Sequence, residues 1–288
     1  MSSTGTHESV TMKTIAYLGP EHTNTHLAAQ ATFGRGSRYL HEPTVDDVFS
    51  LVERDRAEYG VVPIENSLEG AVTHTLDRFI DFKDSPVTIA GEIEFQIQHY
   101  LITSSRVKPS AVRVVYSHPQ ALAQCRRWIE SHVSKRVALI ETHSTSEAVE
   151  RVKDEAGGPP SAAIGRKEAA AQHQLKAVPI PDDRENKTRF LIISKHQPRR
   201  AARSKTSILF ALKDRPGALY DALTPFKRER INLTKIESRP SKRKAWEYLF
   251  FIDFEGYESE PRVRRALRAL TRSTALLRVL GSYPAGTQ

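Results

Sequence analysis

Five short polar clusters, each following an apolar run, hold most of the side chains in this 288-residue sequence that could do chemistry. They are residues 19–25 (GPEHTNT), Glu65-Asn66-Ser67, Ser117-His118, residues 142–146 (THSTS), and Asn186-Lys187-Thr188-Arg189-Phe190. Hydroxyls, amides and helix starts dominate, with one well-placed Arg. Helix N-terminal amides and a guanidinium neutralise carboxylates through directional hydrogen bonds, so this set of donors suits a small, multiply anionic ligand. The segment 60–77, GVVPIENSLEGAVTHTLD, carries the pattern most clearly. A buried strand (60–62) is stopped by Pro63, which has no ladder donor; Asn66 or Ser67 then caps a helix opening near Leu68, with Glu69 in its first turn. Without a ligand, the same segment reads as a capped loop.

Other chemistries find less support. His22 and His26 stand four apart, but no HExxH-type partner accompanies them, so no metal is expected. No GxGxxG or GxxxxGKS/T loop is present, so no nucleotide cofactor is expected either. The single Cys125 has no partner within the chain and reads, in AQCRRWI, as a packed helix residue rather than a nucleophile. The net charge is +9, and its distribution is uneven: residues 1–196 hold 23 Lys/Arg against 25 Asp/Glu, residues 197–288 hold 20 against 9. Much of the excess lies on one helical pattern, Arg262, Arg265, Arg268 and Arg272 opposite Val263, Leu267 and Leu270, which is the look of a solvated face. Without interleaved aromatics or a groove-binding motif, no nucleic acid partner is expected. No run approaches the ~18 apolar residues of a membrane span, and the opening MSSTGTHESVTMK lacks the apolar core of a signal peptide. No membrane association is expected, and the cytoplasm is the expected compartment.

The elements that must position these clusters follow from hydrophobic periodicity. Strands are expected at 14–18, 60–62, 87–94, 99–102, 112–116, 138–141, 162–164 and 189–194, and helices at 25–32, 44–54, 72–82, 119–132, 145–153 and 168–173. Such alternation predicts α/β layers with a mostly parallel sheet, in which ligands gather at the carboxyl ends of strands. Residues 196–205 lack apolar periodicity and read as a linker. Beyond them come a strand (206–211), an Asp214-Arg215-Pro216-Gly217 turn, a helix (218–229), paired strands (233–240 and 247–254) joined by a polar turn at 241–244, a helix (260–271) and a strand (277–280). This is the βαββαβ order of ferredoxin-like domains.

Taken in order, YLGP with its Thr-rich turn and HLAAQ, VVPIENSLEGAV, VYSHPQALAQC, HSTSEA, AAIG and NKTRFLII closely resemble the prephenate dehydratase family, and DRPGALYDAL and KIESRP resemble the phenylalanine-binding ACT domain joined to such enzymes. The resemblance spans about residues 14–283. It implies an α/β fold with a two-subdomain catalytic region like type II periplasmic binding proteins (14–195; subdomains 14–85 with 186–195, and 86–185) and an ACT domain at 206–283. It also implies conversion of prephenate to phenylpyruvate, CO2 and water without metal or organic cofactor. Arogenate is the alternative substrate, and a non-catalytic sensor the alternative of another class.

By the same resemblance Thr188 assists departure of the ring hydroxyl, Arg189 engages a substrate carboxylate and Phe190 supports the site. On its own residues, Thr188 is a strand Thr with an ordinary hydrogen bond. Asn66 and Ser67 read as pocket residues, Glu65 as a pocket or supporting residue, and Asn186 as support for the TRF turn. Thr23, Ser117, Ser144 and Thr145 complete the expected substrate contacts, together with His118, for which helix capping before Pro119 is the alternative. Gly217-Ala218-Leu219 and Glu237-Ser238-Arg239-Pro240 resemble the effector motifs, implying phenylalanine as effector and a homodimer or homotetramer. One departure stands out: where the family carries Gly, a hydroxyl residue and an aromatic after the GP pair, this chain has His22 and Asn24.

Overall fold

The computed structural model describes residues 12–81, 85–104, 107–154, 159–181, 186–213, 215–241 and 247–286. Residues 1–11 of the expected opening, Phe82 of the 72–82 helix, Asp214 of the expected turn and residues 242–244 of the later one lie outside the described residues.

The described residues form three sheets. The first runs Arg38–Glu42, Thr14–Leu18, Tyr59–Asn66, Lys187–Ser194, Thr88–Gln96, with Gly70–Ala71 folded back on Tyr59–Asn66. The second runs Lys176–Pro179, Tyr100–Thr103, Ser161–Gly165, Val114–Ser117, Ala138–Glu141. The expected mostly parallel sheet is replaced by two mixed ones. In each, two pairings are parallel, while the strands that carry the chain between the sheets pair antiparallel. Thr88–Gln96, expected to open the second subdomain, belongs to the first sheet beside Lys187–Ser194. A strand's sequence shows its period but not its partner, which is why the boundary near residue 86 falls instead after Gln96.

Local signals explain the elements well. Helix Val45–Glu53 starts at Thr44, whose hydroxyl accepts from the Asp47 amide, and Asp46 and Asp47 in its first turn oppose the helix dipole favourably. Val45, Val48, Phe49 and Val52 recur at helical spacing and are all buried. The expected 119–132 helix is instead two, Pro119–Gln124 and Arg126–His132, broken at Cys125, which is buried in the second sheet's core. The strand Tyr59–Asn66 runs through Pro63 rather than stopping there. Its pairing with Thr14–Leu18 ends at Val61, and its register with Lys187–Ser194 shifts between Arg189 and Phe190, so the missing donor falls where the ladder is already interrupted.

The third sheet runs Leu233–Pro240, Tyr248–Glu255, Ser204–Leu212, Thr274–Pro284. One face, with Ile208, Phe210, Ile252 and Phe254, packs on helices Ala218–Arg228 and Pro261–Ser273. The other face adds Leu209, Phe251, Leu280 and Tyr283 to the core of the first sheet, with Phe79, Leu191 and Ile193. The C-terminal unit is therefore docked on the first sheet through a shared core. The expected linker is shortened at its end, since Ser204 and Lys205 already belong to a strand. Among the described residues no helix is long and apolar enough to cross a membrane.

Candidate active site

Asn66 ends one central strand and Thr188 sits near the start of its antiparallel neighbour, directly opposite. Asn66 Nδ2 is 3.0 Å from Thr188 Oγ1, 3.0 Å from Asn186 Oδ1 and 3.2 Å from the Lys187 carbonyl. The other end of the amide is fixed as well: Oδ1 accepts from the Leu68 and Glu69 amides at 2.9 and 3.3 Å. With two backbone donors on Oδ1 and three acceptors around Nδ2, only one amide orientation satisfies the group. The expected helix opening near Leu68 is thus an Asn-centred turn leading into Gly70–Ala71, and the helix begins at Thr73. Ser67 joins the network through Lys187: its hydroxyl accepts from the Lys187 amide at 2.9 Å, and its own amide donates to the Lys187 carbonyl at 2.9 Å.

The network continues into the second subdomain. Asn186 Nδ2 donates to Gln124 Oε1 at 3.1 Å, Gln124 Nε2 donates to Glu69 Oε1 at 2.8 Å, and His99 Nε2 lies 2.7 Å from Gln124 Oε1. Gln124 sits at the end of a helix beside the second sheet, so this relay ties Thr188 to the arrangement of the two subdomains. Sequence reading missed Gln124 and His99; nothing in their local context separates them from surface polar residues, because their partners lie 25–62 positions away. At the other side of the cleft, Ser146 Oγ donates to the Glu21 carbonyl at 3.0 Å and joins the two subdomains there.

Several expected substrate contacts are instead engaged in local structure. Thr23 caps helix Asn24–Phe33, accepting from the His26 amide and donating to the Pro20 carbonyl. The Ser144 hydroxyl accepts from the Glu147 amide at the start of helix Thr145–Asp154, with Thr145 the first helical residue. Ser117 is fully buried and donates to the Ile164 carbonyl at 2.7 Å, tying two strands together rather than facing the cleft. His118 caps Pro119–Gln124 with a long, 3.4 Å contact. Phe190 is buried against Ile15, Tyr17 and Ala28 behind Thr188.

Arg189 requires the largest correction. Adjacent strand residues face opposite sides, so it points away from Thr188, toward the C-terminal sheet. Its Nε makes a 2.6 Å ionic contact with Glu65 Oε1, not aligned as a hydrogen bond, and its Nη1 and Nη2 bond Glu92 at 2.9 Å and Asp253 at 2.6 Å. A guanidinium held by three carboxylates is not presented to a substrate. Glu65 shares this face: it also pairs with Lys235, and it is not a wall of the cleft.

Lys205 bonds Glu92 at 2.6 Å, so three cations and three carboxylates balance. Burial pushes Glu65 and Glu92 toward higher pKa, but Arg189, Lys235, Lys205 and the Gly286 amide outweigh it and hold both below the usual value. For Arg189 burial works downward and is outweighed by Asp253, Glu65, Tyr283 and Glu92, so its charge is secured. Near the cleft, burial chiefly and then His22 lower the pKa of His26, which stacks on Tyr17 and accepts from the His22 amide through Nδ1.

The lowered values of Glu65, Glu92 and His26 make the folded state bind fewer protons than the unfolded chain, so their contribution to stability is lost as pH falls, whereas the raised value of Arg189 acts in the opposite direction and only in strong alkali. A melting temperature measured against pH is expected to decline first below the ordinary His value of 6.5, through His26, and more steeply below the carboxylate value of 4.5, through Glu65 and Glu92. A flat profile from neutrality to about pH 4 would contradict both assignments.

The His22 departure has a structural signature, since its φ is +62°, a left-handed conformation that suits Gly. His22→Gly is expected to relieve about 1 kcal/mol of strain and to lose part of that to the looser unfolded chain, leaving about 0.5 kcal/mol of net stabilisation by chemical denaturation.

Two mixed α/β units joined by a paired crossing, with a polar relay between them and a docked ferredoxin-like domain, define a two-subdomain cleft protein with an appended regulatory-type module. The sequence matches the prephenate dehydratase family over residues 15–198 and the ACT domain over 206–272. It is 48% identical to a bifunctional chorismate mutase/prephenate dehydratase of Aquifex aeolicus, over 94% of this chain and 73% of that protein. It is 43% identical to a prephenate dehydratase of Methanocaldococcus jannaschii, over 84% of this chain and 86% of that one. A crystal structure of prephenate dehydratase from Arthrobacter aurescens in complex with L-Phe superposes with a TM-score of 0.84 at 32% identity, covering 94% of this chain and 90% of that one. The chain belongs to the prephenate dehydratase family and carries an ACT domain.

Proposed function

We propose that this protein is a prephenate dehydratase whose catalytic region (14–195) is controlled by phenylalanine through the C-terminal region (206–283). The observation that carries the assignment of Thr188 is its bond with Asn66. Because Nδ2 donates to Thr188 Oγ1, the hydroxyl's own proton remains available for a ligand. In the reaction the ring carboxylate leaves as CO2, its bonding electrons enter the ring, and the C4 oxygen departs with one proton as water, giving phenylpyruvate. Hydroxide leaves poorly without that proton or a strong hydrogen bond, and Thr188 supplies the bond at the departing oxygen. Fixed amide dipoles around it need little reorganisation as charge moves. Purified protein mixed with prephenate is expected to yield the alkaline absorbance of phenylpyruvate, and Thr188→Ala to lower turnover by about 10²-fold or more. No product from the wild type would favour the sensor reading, and equal rates would remove Thr188 from the mechanism.

Arogenate is kept as a second substrate on one observation: among the described residues Asn24 Oδ1 is buried without a hydrogen-bond partner. An amine would supply the donor that a ketone lacks, so arogenate belongs in the same assay.

For the effector, Gly217 lies at φ +76° as the N-cap of helix Ala218–Arg228, and Leu233–Pro240 is an edge strand with Ile236 exposed. Gly217, Ala218 and Leu219 with Glu237, Ser238 and Pro240 are the proposed phenylalanine contacts, across an edge that a second copy would cover. Arg239 of the same motif is committed to Asp77 at 3.0 Å, on the helix after the Asn66 turn. Phenylalanine is expected to change turnover or melting temperature; no change in either would remove the sensing role.

A further inference from the structure

We propose that Arg189 is a positioning residue, holding the Thr188–Asn66 pair in register only while the C-terminal sheet is docked beneath it. The inference rests on the assignment of Thr188 to the reaction and replaces the substrate contact expected of Arg189. The same two backbone positions carry both pairs. Thr188 stands opposite Asn66 on the cleft face, and Arg189 stands opposite Glu65 on the other face. A shift that breaks the ion pair therefore moves the hydrogen-bonded pair one residue away. Arg189 is held from three strands at once, by Glu65 and Glu92 of the first sheet and by Asp253 of the C-terminal sheet.

Each of the three cations in the cluster pairs across the boundary between the sheets. Arg189 reaches Asp253, Lys205 reaches Glu92, and Lys235 reaches Glu65. The centre of the cluster is dry, with side-chain exposures of 7% for Arg189, 1% for Glu92 and 10% each for Asp253 and Lys235, while Lys205 at 16% and Glu65 at 31% form its wetter edge. Buried charges that lose a partner are left strongly destabilised, so the arrangement tolerates few intermediate positions.

Lys235 and Arg239 also lie on the strand that carries residues 237–240. They hold Glu65, just before Asn66, and Asp77, on the helix after the Asn66 turn. A displacement of that strand is thus transmitted to both sides of the turn that orients Asn66. Coupling of this kind needs an element whose position both sites bias, and the strand meets that description.

The test uses the full chain. Asp253→Asn removes the charge from the C-terminal side while keeping the shape, and Glu229→Gln, in the outer ion pair with Arg265, serves as the control in the same domain. Asp253→Asn is expected to lower kcat by about tenfold or more with KM changed less than about threefold, and to blunt the phenylalanine response. Amide exchange in residues 187–194 is expected to rise by about tenfold while that of 161–165, in the second sheet, stays unchanged. Arg189→Lys is expected to recover part of the kcat lost in Arg189→Met. Wild-type kcat, effector response and exchange in a folded Asp253→Asn variant would overturn the proposal. So would exchange that rises equally in both sheets, which is the mark of a merely structural role. If Asp253→Asn does not fold, Lys235→Gln takes its place with the same readouts. Should the wild type not turn over prephenate, the functional assignment fails, and the exchange arm still decides the coupling.

Discussion

Asn66→Asp is expected to lower kcat by about 10²- to 10³-fold although it changes only an NH2 to an oxygen. The amide is fixed by two backbone donors on Oδ1, so the substituted atom is the one surrounded by Thr188 Oγ1, Asn186 Oδ1 and the Lys187 carbonyl. A carboxylate oxygen there faces acceptors: the Lys187 carbonyl is fixed, Asn186 can present its NH2 only by giving up its bond to Gln124, and the Thr188 hydroxyl responds by turning its proton inward. The proton meant for the departing oxygen is then occupied, so the loss falls on kcat rather than KM. The unfavourable contacts with Asn186 and Lys187 remain, and a stability loss of about 1–3 kcal/mol is expected alongside. Steady-state kinetics and urea denaturation of the same preparation separate the two effects. An unchanged kcat would show that the Thr188 hydroxyl does not act as a donor.

The family pattern names Asn66 and Thr188 together, through IENS and KTRF, but a strand read as ending at residue 62 hides their opposition, which only the pairing of the two strands shows. Their neighbours were misread for a reason that the sequence itself contained. Strand side chains alternate, so Thr188 and Arg189 cannot both face the cleft, nor can Glu65 and Asn66. Taken as runs, TRF and ENS assign neighbouring residues to one site although alternation turns them to opposite faces. Hydroxyls after strands were a weaker signal. Thr23 and Ser144 follow strands and serve as caps, and a cap and a ligand contact draw on the same residue types. Ser117 was hidden by a bond 47 residues away. The Leu233–Pro240 strand and the Pro261–Ser273 helix are legible because a hydrophobic period is local, whereas the subdomain of Thr88–Gln96 is not, because strand pairing is not local. Gln124 joins that second class.

Gly281→Ala is expected to undock the C-terminal sheet by adding one methyl group at its contact with the first sheet. Gly281 lies on the last strand, where that strand crosses Thr88–Gln96, and a Cβ built there falls 2.1 Å from the Ile89 carbonyl oxygen and 2.8 Å from its nitrogen. Both contacts are backbone, so no side-chain rotation relieves them. The strands must separate by more than an ångström, and the tightly packed core on either side, with Leu280, Tyr283, Ile89 and Leu191, must open with them. Overpacking of this kind typically costs about 1–3 kcal/mol, and the absence of a yielding neighbour places this case at or above the upper end. The ion cluster adds to the loss, since Arg189–Asp253 and Lys205–Glu92 span the same boundary a few residues away. Thermal unfolding is therefore expected to fall by several degrees, and cleavage by a protease in the 196–203 connection to accelerate. Turnover is expected to drop with it, because the register of Arg189 and Thr188 no longer has its C-terminal anchor. An Ala variant with wild-type melting and wild-type protease resistance would mean that the two sheets do not pack in this way.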